Sequence, residues 1–349
     1  MLFSRSQFAR GVLNVHSDNV RSDQVGRREL IALLGGTAVA WPLGVLAQQP
    51  ALPVIGFLSS ASVSGPVPTA FRKGLNDAGF FPDKNVVIQI LQAEGHYDRL
   101  PALAADFVGR DVKLIVAAGG LVSARAAREA TATIPILFIS GFDPVRVGLV
   151  PSYSRPEGNA TGVSIYTTEL LGKRLSLLLE LVPRVERLAL LINTSNVVHE
   201  FEVKDMEAVA AAAGVRLIVL DANATDGIEA AFASAADQNA DALLVSADPF
   251  FSTRRRQIVA FAEHYKLPAA YPWREYAEGG GLMSYGPTLM EAYHQIGVYA
   301  GRILKGEKPG DLPVQLPRKF EFIVNLRTAK ALDLTVPRIT EFRADHLID

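Results

Sequence analysis

Short apolar runs alternate with amphipathic stretches along most of the chain after residue 50. The apolar runs lie at residues 54–58, 86–91, 114–118, 136–139, 188–192, 217–220, 243–245 and 282–283. Most of them are nearly continuous rather than alternating, which is typical of strands buried on both faces, as in a parallel sheet covered by helices. We therefore predict β-strands at these positions.

The stretches between the runs carry apolar residues at steps of three and four, the spacing of one face of a helix. Such sets occur around Phe71, Phe107 and Leu178. Gly79 and Gly214 stand where helices are expected to stop, because glycine readily adopts the left-handed conformation of a C-cap. The repeated strand–helix–strand units predict an α/β fold with parallel sheets and right-handed crossovers.

The segment at residues 151–164, PSYSRPEGNATGVS, separates two such series. It is rich in Pro, Gly, Ser and Asn and has no period, and a second Pro-rich stretch follows at residues 308–317. We interpret both as crossings between two Rossmann-like lobes joined by a hinge, with a helix at residues 289–304 that returns to the first lobe. The predicted ranges are 52–163 with 287–312 for lobe 1, and 164–286 with 313–349 for lobe 2.

The first 47 residues resemble an N-terminal extension followed by a targeting segment. An apolar run at residues 30–47 follows Arg27 and Arg28, is interrupted by glycines and a proline, and ends in a small-x-small site. This is the layout of a secretory signal cleaved after Ala47, and the paired arginines favour the twin-arginine route. An uncleaved membrane anchor is the alternative, and a further hypothesis is that translation begins near Val25.

Composition narrows the class of partner. The chain has a net charge of −1 and no cysteine. The charge provides no strong field for nucleic acid or an anionic membrane surface, so we predict no nucleic-acid partner. A lipid-anchored exported protein needs a cysteine at its cleavage site. We therefore expect a protein that is free in the periplasm. Separately, we expect it to be a monomer.

Signatures of catalysis do not appear in the sequence. The string at residues 117–120, Ala-Ala-Gly-Gly, lacks the third glycine of a dinucleotide fingerprint, and there is neither a Gly-Lys-Ser/Thr phosphate loop nor a Gly-x-Ser-x-Gly elbow. No two histidines of the chain after residue 47 have the spacing of metal ligands. We therefore predict no enzymatic activity, no cofactor and no metal.

Small polar residues follow nearly every predicted strand, and ligands of open α/β sheets bind outside the carboxyl ends of the strands. Gly119 and Gly120 would let the backbone approach a ligand, and a helix that starts near Leu121 would direct free N–H groups at a carboxylate. Asp143 and Asp248 could accept hydrogen bonds from an ammonium group. The alternative for each of these residues is ordinary helix capping or a turn.

Aromatic residues near the same edges could stack on a ring of the ligand or enclose an apolar side chain, and plain packing is their alternative. Together with the polar residues they predict a pocket for a small molecule with both charges, such as an amino acid. The predicted ligand-binding residues are Ser59, Ser60, Gly119, Gly120, Ser123, Asp143, Tyr166, Asn193, Asp248 and Tyr285.

Several strings resemble the solute-binding proteins of bacterial ABC transporters, in particular the tryptophan-binding-like branch. These strings are RRELIALLGGTAVAWPLGVLAQQP, VIGFLSS, AEGHYDRLPALAADFV, IPILFISGFDPVRVGLV, RPEGNATGVS and TELLGKRLSLLLELVP. The resemblance extends to about Ala331, and the segment from FDPV to TGVS is its most specific part.

The resemblance implies a type I periplasmic binding fold, whose two lobes close on a small ligand and dock on an ABC permease of the inner membrane. It places in the cleft the loops at Ser59, Ser60, Gly119, Gly120, Asp143, Asn193 and Asp248. The best-understood members take aromatic amino acids, but the solute of this chain does not follow from the resemblance.

We therefore predict a periplasmic solute-binding protein of an ABC importer that captures a small organic solute, such as an aromatic amino acid. A ligand-sensing module for a membrane receptor and an exported enzyme are the alternatives.

Overall fold

The computed structural model describes residues 51–63 and 65–349. The strands are β1 (Val54–Ser59), β2 (Val87–Gln92), β3 (Leu114–Ala118), β4 (Ile136–Ser140), β5 (Ala160–Ser164), β6 (Arg187–Ile192), β7 (Arg216–Asp221), β8 (Ala242–Val245), β9 (Ala269–Tyr271), β10 (Met283–Pro287), β11 (Phe320–Asn325) and β12 (His346–Ile348).

The helices are α1 (Val67–Asp77), α2 (Leu100–Gly109), α3 (Leu121–Ala130), α4 (Leu171–Leu181), α5 (His199–Ala212), α6 (Thr225–Asp237), α7 (Pro249–Thr253), α8 (Arg255–His264), α9 (Arg274–Glu278), α10 (Leu289–Leu304), α11 (Leu326–Ala331) and α12 (Arg338–Arg343). The predicted signal, its cleavage after Ala47 and a translation start near Val25 lie outside the described residues.

Lobe 1 is built on a five-stranded sheet with the order β2-β1-β3-β4-β5. All its strand pairs are parallel. Strands β3, β4 and β5 are buried along their whole length, because helices α1 and α10 cover one face of the sheet and α2 and α3 cover the other.

Helix α10 belongs to lobe 1 although it follows the strands of the second sheet in sequence. It packs along α1 so closely that a Cβ atom added to Gly74 would collide with the carbonyl oxygen of His294. A Cβ on Gly297 would likewise collide with the carbonyl oxygen of Phe71. The two glycines therefore set the distance between these helices.

Lobe 2 is built on a seven-stranded sheet with the order β12-β11-β10-β9-β8-β6-β7. Its pairs are parallel except β10 with β11, which is antiparallel. The antiparallel pair arises because the chain leaves β10 for lobe 1, forms α10, and re-enters lobe 2 from the opposite direction.

The chain passes between the lobes three times, after β5, after β10 and after α10. The first and third passes are joined by backbone hydrogen bonds: Ser164 N–H donates to the Gln315 carbonyl, and Gln315 N–H donates to the Gly162 carbonyl, both at 2.9 Å. The hinge is therefore a bundle of adjacent segments rather than a single linker.

The predicted two-lobed α/β fold is confirmed, and the predicted apolar runs correspond to β1–β4, β6–β8 and β10. Gly79 and Gly214, with φ of 88° and 71°, follow the ends of α1 and α5, as predicted. The pattern missed β5, β9, β11 and β12. Strand β5 reads Ala-Thr-Gly-Val-Ser, and its Gly162 lies against the backbone of Phe138, where a side chain would not fit.

None of the helices in residues 51–63 and 65–349 combines the length and the apolar character that crossing a membrane requires.

Candidate functional site

A cavity of about 400 Å³ lies between the lobes, at the carboxyl ends of the strands. Lobe 1 contributes Ser59, Ala61, Ser62, Val63, Gly119, Gly120, Ile139, Gly141, Leu289, Met290 and Tyr293. Lobe 2 contributes Ala247, Pro249, Ser252, Thr253, Arg254, Arg255, Trp273, Glu275 and Tyr276. Thr167, in the first crossing segment, also lines the cavity. A ligand in this space would contact both lobes and the hinge.

One wall of the cavity is the start of α3. Gly119 and Gly120 have φ of 80° and 89°, in the left-handed region that favours glycine. Gly120 is the N-cap residue of this ten-residue helix and no side chain caps it. The Ser60 hydroxyl donates to the Gly119 carbonyl at 2.6 Å and holds the turn in place. Uncapped N–H groups at a helix N-terminus suit an anionic group of a ligand.

Three aromatic side chains line the cavity, namely Trp273, Tyr276 and Tyr293. Tyr276 stacks on Tyr271, with ring centroids 4.8 Å apart and planes at 14°. Burial raises the pKa of Tyr293 to about 12, and the backbone of Gly119 opposes this shift. The phenols are therefore neutral near pH 7, and the rings offer flat apolar surface to a ligand.

Three charged residues reach the cavity, namely Arg254, Arg255 and Glu275. Burial raises the pKa of Glu275, as does the neighbouring Glu278, whereas Arg255 and Arg274 lower it. Glu275 places its carboxyl group beside the aromatic wall, and the side chains of Arg254 and Arg255 are exposed at the edge of the cavity.

Three of the ten sequence-predicted residues line the cavity, and the other seven do not. Ser59, Gly119 and Gly120 line the cavity, and Ser60 lies directly behind Gly119. Ser123 is fully buried in the first turn of α3, and its hydroxyl has no hydrogen-bond partner among the described residues.

Asp143 and Tyr166 lie together beside the first crossing and do not line the cavity. The Tyr153 hydroxyl donates to Asp143 at 2.8 Å, and its ring stacks on that of Tyr166 with centroids 6.1 Å apart. Asp143 also accepts from the backbone N–H of Val145 at 2.8 Å, which is the turn-forming role given as its alternative.

Tyr285, on β10, is likewise outside the cavity. Its ring stacks on Phe320 of β11, with centroids 6.1 Å apart. It contributes to packing within the sheet of lobe 2.

Asp248 is 2% exposed and is surrounded by donors from the protein. Its Oδ1 accepts from Asn193 at 3.1 Å, from the backbone N–H of Phe250 at 2.9 Å and from the Tyr97 hydroxyl at 2.9 Å, and its Oδ2 accepts from Asn196 at 2.7 Å. Asp248 is the N-cap residue of α7. It therefore has the capping role that the sequence offered as the alternative to ligand contact. Burial raises its pKa, whereas these hydrogen bonds lower it.

Two buried charged side chains, Arg174 and Glu202, lie in lobe 2. Arg174, which is 0% exposed, donates to the carbonyls of Thr167 and of Val245, the latter at 3.4 Å. Glu202 accepts from the Thr168 hydroxyl at 3.1 Å. Burial raises the pKa of Glu202 to about 7, with Asp248 adding to this shift and Arg174 opposing it. Arg174 thus fastens the first crossing segment to the end of β8.

We expect Glu202→Gln to remove part of the pH dependence of stability. Because the folded-state pKa of Glu202 lies above its ordinary value of 4.5, the folded chain holds a proton that the unfolded chain has released, and its stability falls as the pH rises from about 4.5 to 7. Between about pH 5 and pH 8, the free energy of unfolding of the variant should rise by on the order of 2 kcal/mol relative to that of the unchanged chain. Denaturant unfolding at the two pH values measures it, and equal pH slopes would contradict it.

The sequence pattern missed Tyr276, Glu275, Tyr293 and Thr167. Tyr293 lies inside α10, whose return to lobe 1 was predicted, but the sequence did not show which side chains of this helix would reach the cavity. Glu275 and Tyr276 lie two and three residues after Trp273 in sequence, so the aromatic cluster after β9 was the available signal.

The described residues contain no group of three or more His, Asp or Glu side chains placed to hold a metal ion.

Two α/β lobes enclose a cavity, and three segments of the chain pass between them. These features define a binding protein with the type I periplasmic binding fold. The chain belongs to a family described as ABC transporter substrate binding protein, whose family model matches residues 53–347. The predicted family membership is therefore confirmed.

Relatives agree with this assignment. The chain is 28% identical to the tyrosine-binding protein of Clostridioides difficile (strain R20291) over 264 residues, which cover 76% of this chain and 75% of that protein. Among solved structures it resembles the ABC domain in complex with L-Trp from Streptococcus pneumonia, with a TM-score of 0.75 and 24% identity over 85% of this chain and 100% of that one. It also resembles the ligand-free, open form of a substrate-binding protein with adhesive properties from Clostridium difficile, with a TM-score of 0.60 and 25% identity over 85% of this chain and 99% of that one.

Proposed function

We propose that this chain is the periplasmic solute-binding protein of an ABC importer, and that it binds an aromatic amino acid and delivers it to a membrane permease without chemical change. The observation that carries the proposal is the cavity of about 400 Å³ shared by both lobes and lined by three aromatic residues. The tyrosine-binding relative and the L-Trp complex of a similar fold support the class of solute.

The polar groups of the cavity suit the two charges of an amino acid. Its carboxylate would accept hydrogen bonds from the first turn of α3, beyond Gly119 and Gly120. Its ammonium group would pair with Glu275, the carboxylate that lines the cavity. Its ring would lie against Trp273 and Tyr293. Because these groups belong to both lobes, the ligand favours the closed arrangement over an open one.

A thermal-shift screen of the purified protein against the twenty amino acids, aromatic acids and purines tests the proposal. A ligand that binds only the folded state raises the melting temperature. We expect tryptophan, tyrosine or phenylalanine to give the largest shifts, confirmed by calorimetry. A shift with purines or aromatic acids alone would replace the proposed solute, and no shift with any compound would contradict the proposal.

Two aromatic substitutions show whether the ligand occupies this cavity. Trp273→Leu removes an aromatic wall and should weaken the affinity about tenfold, since aromatic contacts contribute about 0.5–1.5 kcal/mol beyond area burial. Tyr285→Leu is the matched control, because Tyr285 packs on Phe320 outside the cavity. Equal effects of both substitutions on affinity would place the ligand elsewhere.

A further inference from the structure

The two lobes also touch each other directly through residues that do not line the cavity. Tyr97 lies in lobe 1, in the short turn Tyr97–Arg99 between β2 and α2. Its hydroxyl donates to Asp248 Oδ1 of lobe 2 at 2.9 Å and accepts from the backbone N–H of Phe250 at 3.2 Å. Gly95, with φ of 90°, lets this loop approach the Phe250 ring, which a Cβ atom would meet at 3.1 Å.

A second contact between the lobes involves Arg146 of lobe 1 and Asp205 of α5. The guanidinium donates to both carboxylate oxygens, at 2.7 and 3.1 Å. It also lies 5.1 Å from the ring centroids of Phe142 and Phe201, which belong to opposite lobes. The two charged side chains are 39% and 40% exposed, so water and salt screen this pair and its contribution is small.

The hydrogen bond between Tyr97 and Asp248 is much less exposed to solvent than the pair of Arg146 and Asp205. The donors to Asp248 are divided unequally between the two lobes. Three of the four donors to Asp248, namely Asn193, Asn196 and the N–H of Phe250, belong to lobe 2 itself. Because these donors and Asp248 belong to the same lobe, a rigid opening of the lobes would leave their hydrogen bonds in place. Among the hydrogen bonds of the described residues, Tyr97 is the donor to Asp248 that lobe 1 supplies.

We propose that Asp248 is a positioning residue for lobe closure, with Tyr97 as its partner, rather than a ligand contact. The carboxylate is a fixed acceptor on lobe 2, and closure brings the Tyr97 hydroxyl onto it. A hydrogen bond to a charged group is stronger at a site shielded from water than at a solvent-exposed site. This hydrogen bond therefore stabilises the closed arrangement of the lobes. The consequence for affinity rests on the proposed function, because a ligand binds more tightly when the closed state is more populated.

Substituting Tyr97→Phe removes the hydroxyl and keeps the ring. We expect the affinity for the solute to weaken about tenfold, which corresponds to about 1.4 kcal/mol. Most of the change should appear as faster dissociation, since the closed complex loses a bond that an encounter complex has not yet formed. Small-angle scattering of the ligand-free variant should give a larger radius of gyration than that of the unchanged protein.

Tyr153→Phe is the matched control. Tyr153 also donates its hydroxyl to an aspartate, Asp143, at 2.8 Å, but both residues belong to lobe 1. This substitution should leave the radius of gyration and the dissociation rate unchanged. The control thus distinguishes the effect of removing any tyrosine hydroxyl from the effect of removing a hydrogen bond between the lobes.

The experiment uses L-tryptophan and L-tyrosine as probes and keeps the two proposals apart. If neither amino acid binds the unchanged protein, the proposed solute fails, and the scattering of the ligand-free Tyr97→Phe variant still decides whether the contact favours closure. If Tyr97→Phe has the same radius of gyration as the unchanged protein and, where a probe binds, the same dissociation rate, the role proposed for Asp248 and Tyr97 is overturned.

Discussion

Replacing Arg174 by Met should lower the free energy of unfolding by about 3 kcal/mol at pH 7, because leaving a buried polar group without its hydrogen-bond partner costs about 1–3 kcal/mol. The substitution removes the hydrogen bonds to the carbonyls of Thr167 and Val245. It also removes the positive charge that opposes the upward pKa shift of Glu202. Methionine fills a similar volume without supplying donors, so the loss reports on the polar contacts. Denaturant unfolding measures the change.

Two further variants test the cause of that loss. Lys173→Met changes the preceding residue of α4, which is exposed, and should alter stability by no more than about 0.5 kcal/mol. Adding Glu202→Gln to Arg174→Met should recover part of the loss, because it removes a buried carboxylate that would lack its positive neighbour. If the double variant is no more stable than Arg174→Met alone, the charge of Glu202 is not the source of the loss.

Replacing Gly74 by Ala should lower the free energy of unfolding by about 3 kcal/mol, the upper range for overpacking a well-packed interface. The new Cβ would collide with the carbonyl oxygen of His294, and a backbone atom cannot move aside as a flexible side chain can. Helices α1 and α10 would have to separate. Thermal and denaturant unfolding give the size of the effect.

Gly172→Ala is the matched control for this prediction. Gly172 also lies in a helix, α4, and a Cβ there would meet the side chain of Val209 at 3.5 Å, an ordinary contact distance. Alanine is favoured over glycine within helices by up to about 1 kcal/mol, so this variant should be as stable as the unchanged protein or slightly more stable. If both substitutions have the same effect, the close approach of α1 and α10 does not limit stability.

The sequence predicted the fold well where local pattern determines it. Continuous apolar runs marked the central strands because these strands are buried on both faces, and helix ends were readable at Gly79 and Gly214. Strand β5 has no continuous apolar run, because its Gly162 lies against the backbone of Phe138, where a side chain would not fit. The antiparallel β10–β11 pair depends on the path of the chain through lobe 1, which no local period encodes.

The candidate site was predictable only in part. The turn at Gly119 and Gly120 was recognised, because paired glycines between a strand and a helix have a limited set of structural uses. Asp248 was predicted as a ligand contact, whereas its hydrogen-bond partners in the structure, Tyr97, Asn193 and Asn196, come from distant segments of the chain. A sequence pattern shows that an acidic residue ends a strand, whereas which donor reaches it depends on how two lobes meet.

The threefold passage of the chain between the lobes has a consequence for biosynthesis. The first lobe lacks α10 until residue 304 has been made, and the second lacks β11 until residue 325 has been made. Neither lobe can therefore finish folding before most of the chain has been synthesised. An early fragment would expose the unpaired edge of β10 to other chains. Dissecting this molecule into separately expressed halves would require rejoining the chain in a new order rather than cutting it once.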